Sequence, residues 1–182
     1  VMNTDYVIGI SDAASDALNL LFNTAAGRAF LAKRTGLGQE FLGALADLGL
    51  SSIANVLGAV KLAKYANMGP DDAILTVATD GSEMYGTEQE KALSEQPGGR
   101  FDKAAAAEAY GRYMLGAATD HLLETSRRDR ERIFNLGYYT WVEQQGVDVS
   151  AFEVRREQSF WDGLMANVPQ WDSMINDFNS EL

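Results

Sequence analysis

The sequence predicts an α/β fold whose sheet is not complete within this chain, followed by a part that is helical throughout. Three observations predict it. The run Tyr6 to Ile10 reads as a short strand leading directly into a helical pattern. The run Ala73 to Ala78 is apolar at nearly every position, as in a strand buried on both faces of a parallel sheet. From Phe101 onward only helical periodicity is found. A parallel sheet normally holds about five or six strands, and two strands alone would leave hydrophobic edges open to aggregation. The missing strands are therefore expected from a partner chain.

After the first strand, Ser11 and Asp12 supply a capping hydroxyl and an anionic first turn for a helix bearing Ala17, Leu18, Leu21 and Phe22. A second helix carries Phe30 and Leu31 and breaks at Thr35-Gly36-Leu37-Gly38, where glycine tolerates positive φ. A short helix through Phe41, Leu42 and Leu45 follows. Gly49-Leu50-Ser51-Ser52 then opens a helix with Ile53, Val56, Leu57, Val60 and Leu62, which stops at Asn67-Met68-Gly69-Pro70. The strand Ala73 to Ala78 gives way to the polar loop Thr79 to Tyr85. Breaker residues concentrate in Ser94 to Arg100. Residues 1–93 are thus expected to be sheet-forming material, 94–100 a linker and 101–182 a helical extension, with Leu122, Leu123, Ile133 and Leu136 at helical spacing and an aromatic, amphipathic tail from Phe160 to Phe178.

Composition excludes several classes of function. With 15 basic against 26 acidic side chains, the net charge of -11 opposes binding to nucleic acid or anionic membranes. There is no cysteine and only one histidine, so neither a disulfide framework nor a zinc site of nitrogen and sulfur ligands is expected. The acidic residues lack the alternating pattern of a calcium loop, and no metal is predicted. No basic segment precedes an apolar core near residue 1, and no uncharged stretch is long enough to span a bilayer. A soluble, cytoplasmic protein is expected.

The chemistry-bearing part is 49–85, where GLSSIANVLGAVKLAKY is followed by DDAILTVATDGSEMY. Read alone, Gly49 to Ser52 is an ordinary helix start. Its free amides and positive helix end can also face an anionic ligand group. The loop Thr79 to Tyr85 sits at the carboxyl end of the expected buried strand, where open α/β sheets place their ligands. This order of glycine/serine turn, apolar helix, buried strand and polar loop resembles the last helix-strand-loop of the fold-type II pyridoxal-phosphate enzymes. Their members, cysteine synthases and cystathionine β-synthases, carry GISSGA-like and PSSGERY- or PDS-like motifs there.

The resemblance implies the C-terminal portion of a fold-type II, tryptophan synthase β-like, three-layer sandwich whose sheet a partner chain completes. It implies pyridoxal 5'-phosphate as cofactor, with Gly49, Ser51 and Ser52 on one wall and Thr79, Asp80 and Ser82 tuning the pyridine side. In the family a serine or threonine hydroxyl meets the pyridine nitrogen. Counting back from Tyr85, the family serine falls on Asp80 or Gly81 here, so Thr79 or Ser82 supplies the hydroxyl, or Asp80 pairs with a protonated nitrogen. None of Lys33, Lys61, Lys64, Lys91 and Lys103 lies in a context like the family's lysine segment. The chain is accordingly expected to be half of an enzyme, with the Schiff-base lysine on a partner that supplies the N-terminal half. The assembled unit, expected to be a dimer, would act on an amino acid by β-elimination or β-replacement. No catalytic residue is assigned to this chain. The alternative is a regulatory or binding subunit that retains the fold fragment without the cofactor chemistry.

Other candidates read as structural. His121, flanked by Asp120 and near Glu124, is expected to be a solvated helix residue rather than a proton-transfer group. Arg127 to Arg132 reads as a solvated face with Arg127 opposite Glu131. Tyr138, Tyr139 and Trp141 read as core or interface packing. The stretch around them, DHLLETSRRDRERIFNLGYYTWVEQQG, also resembles a C-terminal extension on one branch of cysteine-synthase-like proteins, the pyridoxal-phosphate-dependent protein subunit beta branch. Gly36 to Phe41 lacks the third glycine of a dinucleotide fingerprint, and Gly49 to Ile53 lacks the second glycine of a nucleophile elbow.

Overall fold

The computed structural model describes residues 2–181. It is mostly helical with a two-stranded sheet, and it divides into two compact units, residues 7–123 and residues 2–6 with 124–181.

The first unit is organised around helix α1, Asp12–Asn23. Ser11 caps it by accepting a hydrogen bond from the Ala14 N–H, with Asp12 in the first turn. Leu18, Leu20, Leu21 and Phe22 are all buried, so α1 is apolar around most of its circumference. Thr24 closes α1 and at once caps α2, Ala25–Thr35, through a hydrogen bond from the Gly27 N–H, which turns the chain sharply. Helix α2 ends at Gly36 in the left-handed conformation, φ 75°, as expected of the Thr35 to Gly38 break. Helix α3, Gln39–Ala44, buries Leu42, and α4, Leu50–Tyr65, buries Ser52, Ile53 and Leu57. Helix α5, Gly86–Ser94, and helix α6, Lys103–Ala109, complete the packing around α1, with α6 loosening into wider π-type turns over Tyr110–Leu115.

The expected division at 94–100 differs from the observed packing. Ala106 and Ala109 are buried, and α6 packs on α1 and α2. Small side chains allow this close approach, so residues 101–123 fold with the N-terminal helices and the polar connection lies inside the first unit.

The strands also differ. The first, β1, Tyr6–Ile8, forms as expected but is shorter. Its neighbour is β2, Leu122–Glu124, in a stretch expected to be helical. The Gly9 N–H donates to the His121 carbonyl at 2.8 Å and the Thr125 N–H to the Asp5 carbonyl at 2.7 Å, so the pair is antiparallel. His121 stands at φ 55°, in the turn immediately ahead of β2. Ala73 to Ala78 is irregular chain outside any strand ladder, exposed throughout, with Leu75 99% accessible. A strand is defined by its neighbours, and none is paired with this run among the described residues.

In the second unit α7, Arg127–Tyr138, starts with a reciprocal capping box between Ser126 and Asp129. Its small core is aromatic. Phe134 and Phe152 lie 4.6 Å apart between ring centroids, and Tyr138 meets Phe152 edge-on at 6.0 Å. Arg156 lies over Phe134 and binds Glu131, Glu153 and Asn135, so Glu131 pairs with Arg156 rather than with Arg127. Helices α8, Val149–Glu153, α9, Gln158–Met165, and α10, Val168–Ser180, follow. Among the described residues no single helix is long and apolar enough to cross a membrane.

Candidate functional site

Helix α4 and the loop after Ala78 are joined by a short polar clasp. Gly49 precedes α4 in extended backbone, and at that position its N–H has no partner within the helix. That N–H donates to the Asp80 carbonyl at 2.7 Å. One turn on, the buried Ser52 Oγ accepts a hydrogen bond from the Thr79 N–H at 2.8 Å and lies 3.3 Å from Thr79 Oγ1. Asn55 Nδ2, three residues further along the same helix face, donates to the Val77 carbonyl at 3.0 Å. Three polar groups of α4 thus hold alternate residues 77 and 79 together with Asp80.

The far side of the loop is fixed by Tyr85 and Ser82. Tyr85 OH donates to Asp80 Oδ2 at 3.2 Å. The Ser82 hydroxyl, buried in a 3₁₀ turn, donates to Asn23 Oδ1 at 3.1 Å. Asn23 Nδ2 donates to Asn19 Oδ1 at 2.8 Å, and the same oxygen accepts from Gln89 Nε2 at 3.2 Å. This amide chain anchors the loop to α1 and α5. A buried polar network of this kind, with its groups satisfied, rigidifies what it holds.

The structure therefore brings together five of the six residues expected from sequence: Gly49, Ser52, Thr79, Asp80 and Ser82. They differ in what they leave available. Thr79 and Asp80 are exposed, whereas Ser52 is buried against Thr79 and Ser82 faces Asn23. Ser51 lies exposed in the first turn of α4 and does not enter the clasp. Sequence reasoning passed over Asn55, Asn23, Asn19 and Gln89. The Ser52/Asn55 pair had a legible signal, since two polar side chains three residues apart interrupt an apolar helix.

His121 is exposed, with Nε2 3.5 Å from Asp120 Oδ2, and it sits in a turn rather than on a helix. Nearby, Lys61 is 12% accessible and donates to the carbonyls of Asp120 at 2.8 Å and Gly9 at 3.3 Å, which makes it a staple for the turn around His121. Tyr139 and Trp141 are about half exposed, and Arg155 covers the Trp141 ring at 5.6 Å.

A carboxylate on an exposed residue beside a helix start can offer a negative charge to a ring nitrogen, and the helix start can offer backbone amides to an anion. Compared with family models, with curated proteins and with solved structures, the chain matches none.

Proposed function

We propose that this chain is one subunit of a pyridoxal-phosphate-dependent enzyme that acts on an amino acid by β-elimination or β-replacement, its lysine lying on a partner chain. The observation that carries the reading is the clasp itself. Two segments that resemble fold-type II cofactor motifs, separated by 27 residues at Ser52 and Thr79, meet through direct hydrogen bonds and form one wall. The donor set is of a kind that suits the cofactor: Asp80 carries a carboxylate on an exposed residue, and Thr79 beside it carries a hydroxyl that lies against Ser52. The exposed, apolar Ala73 to Ala78 run supports a sandwich completed by a partner strand, because apolar chain of this kind is stable in a parallel sheet only between neighbours.

When bound, pyridoxal 5'-phosphate supplies an electron sink that makes the α-proton of an amino acid acidic. This chain's contribution is placement. Ser52 and Gly49 fix the backbone at Thr79 and Asp80, the residues whose hydroxyl or carboxylate would meet the pyridine nitrogen of a bound cofactor. Tyr85 restrains the Asp80 carboxylate.

The test is absorbance of the complex formed with a lysine-bearing partner and pyridoxal 5'-phosphate. A visible band that shifts on addition of an amino acid, and whose position changes in Thr79→Val or Asp80→Asn, supports the assignment. A colourless complex, or a band indifferent to both substitutions, overturns it and favours a regulatory subunit.

A further inference from the structure

Helix α10 carries four large apolar side chains, Trp171, Met174, Ile175 and Phe178, at positions i, i+3, i+4 and i+7, and each is about half exposed or more. Every residue from 169 to 181 is exposed. This spacing is that of a helix that lays one face into a groove on another protein. At about 100° per residue, Asp172 and Asp177 fall on opposite flanks of the stripe. From residue 157 onward the chain has five acidic side chains, Glu157, Asp162, Asp172, Asp177 and Glu181, and no lysine or arginine.

The first unit holds a groove of complementary character. It is an open cavity of about 500 Å³ along α2 and the start of α6, floored by Ala26, Ala29 and Phe30 and rimmed by Lys33, Arg34 and Lys103. A volume of this size lies within the range of pockets that accept sizeable apolar groups, about 300–1,000 Å³. In a chain of net charge -11, three cations around an apolar floor form a local reversal of sign. Opposed potentials of this kind steer encounter and select the partner.

We propose that α10 of one copy docks in the α2/α6 groove of a second copy, its apolar stripe on the Ala26/Ala29/Phe30 floor and its flanking aspartates against the lysine and arginine rim. Exchanged in both directions, the contact makes a closed two-fold dimer. The proposal is independent of the cofactor assignment.

The experiment is sedimentation equilibrium of the full chain carrying Leu75→Asp, which suppresses unspecific association through the exposed run at 73–78. A dimer is expected. Phe178→Ala, the pair Asp172→Lys with Asp177→Lys, and the pair Lys33→Glu with Lys103→Glu should each raise its dissociation constant by about tenfold or more. The chain combining both charge-reversed pairs should return to within about threefold of the parent, because the complementarity is restored with opposite sign. Phe178, Asp172 and Asp177 are exposed, so their replacement leaves the core intact. A monomer at every concentration, including one in which α10 folds onto its own groove, overturns the proposal. So does a dimer indifferent to these substitutions, or a combined variant that fails to recover.

Discussion

A methyl group at Gly49 would stand 2.4 Å from the Asp80 carbonyl oxygen and 2.6 Å from Tyr85 Cε2. Neither neighbour yields easily: the oxygen is backbone, and the ring is tied to Asp80. Gly49→Ala should therefore cost about 1–3 kcal/mol, in the range of overpacking, and open the clasp; a lower urea midpoint checks it. Asp16 provides a residue-scale prediction of opposite sign. Its carboxyl is pushed above its usual value of 3.8 by burial first, then by repulsion from Asp12, against an opposing pull from Lys91. A raised acid binds its proton more tightly in the folded chain than in the unfolded one, so Asp16 disfavours folding increasingly as pH rises above 3.8 and fully once pH exceeds the folded value. Asp16→Asn should raise the urea midpoint at neutral pH, and the gain should vanish below 3.8. That Gly49 and Ser52 would lie near Thr79 and Asp80 was legible only from the order of the two segments taken together, since glycine and serine at a helix start are ordinary when read alone. The amides of Asn23, Asn19 and Gln89 were not legible. Their role depends on α1 and α5 lying side by side, which no local spacing announces.

Among the elements, the helices were the most readable, because their ends carry chemistry: Ser11, Thr24, Asp102 and Ser126 each accept a hydrogen bond from a first-turn amide. Helix α6 was assigned to the wrong side of a boundary since its alanines are good helix formers anywhere, and only packing reveals their partner. The segments at 73–78 and 122–124 failed for a shared reason. Apolar residues alone do not show whether so short a run is strand, helix or irregular chain within one polypeptide, and pairing, a long-range event, decides. One side chain reinforces the backbone pairing at β2. Thr125 is buried; its hydroxyl donates to the carbonyls of Asp5 and Thr4 and accepts from Arg130 Nε at 3.2 Å. Thr125→Val keeps the shape and removes those bonds, leaving buried polar groups unmet, so a loss of about 1–3 kcal/mol is expected. Thermal denaturation followed by aromatic circular dichroism measures it. A loss confined to a few tenths would show that water replaces the hydroxyl without cost.

At the scale of the whole molecule the chain has two hydrophobic centres of unequal size. One is the large cluster around Leu18, Leu21, Leu42 and Ile53 in residues 7–123. The other rests chiefly on Phe134, Phe152 and Tyr138 in the unit of residues 2–6 and 124–181. Cooperative unfolding requires that losing part of a core weaken the remainder, and separate cores meet that condition only within themselves. Calorimetry should therefore resolve two transitions, the smaller core melting first. Leu21, fully buried in α1, should on replacement by alanine lower only the larger transition, by about 2–5 kcal/mol. Phe152, 1% accessible, should on replacement by alanine lower only the smaller one, by about 3–5 kcal/mol. If either substitution shifts both transitions equally, the two cores unfold as one cooperative unit. If each shifts its own, the aromatic unit can be removed from the stability of the α4 clasp, and the effect of Gly49→Ala should be the same whether Phe152 is present or not.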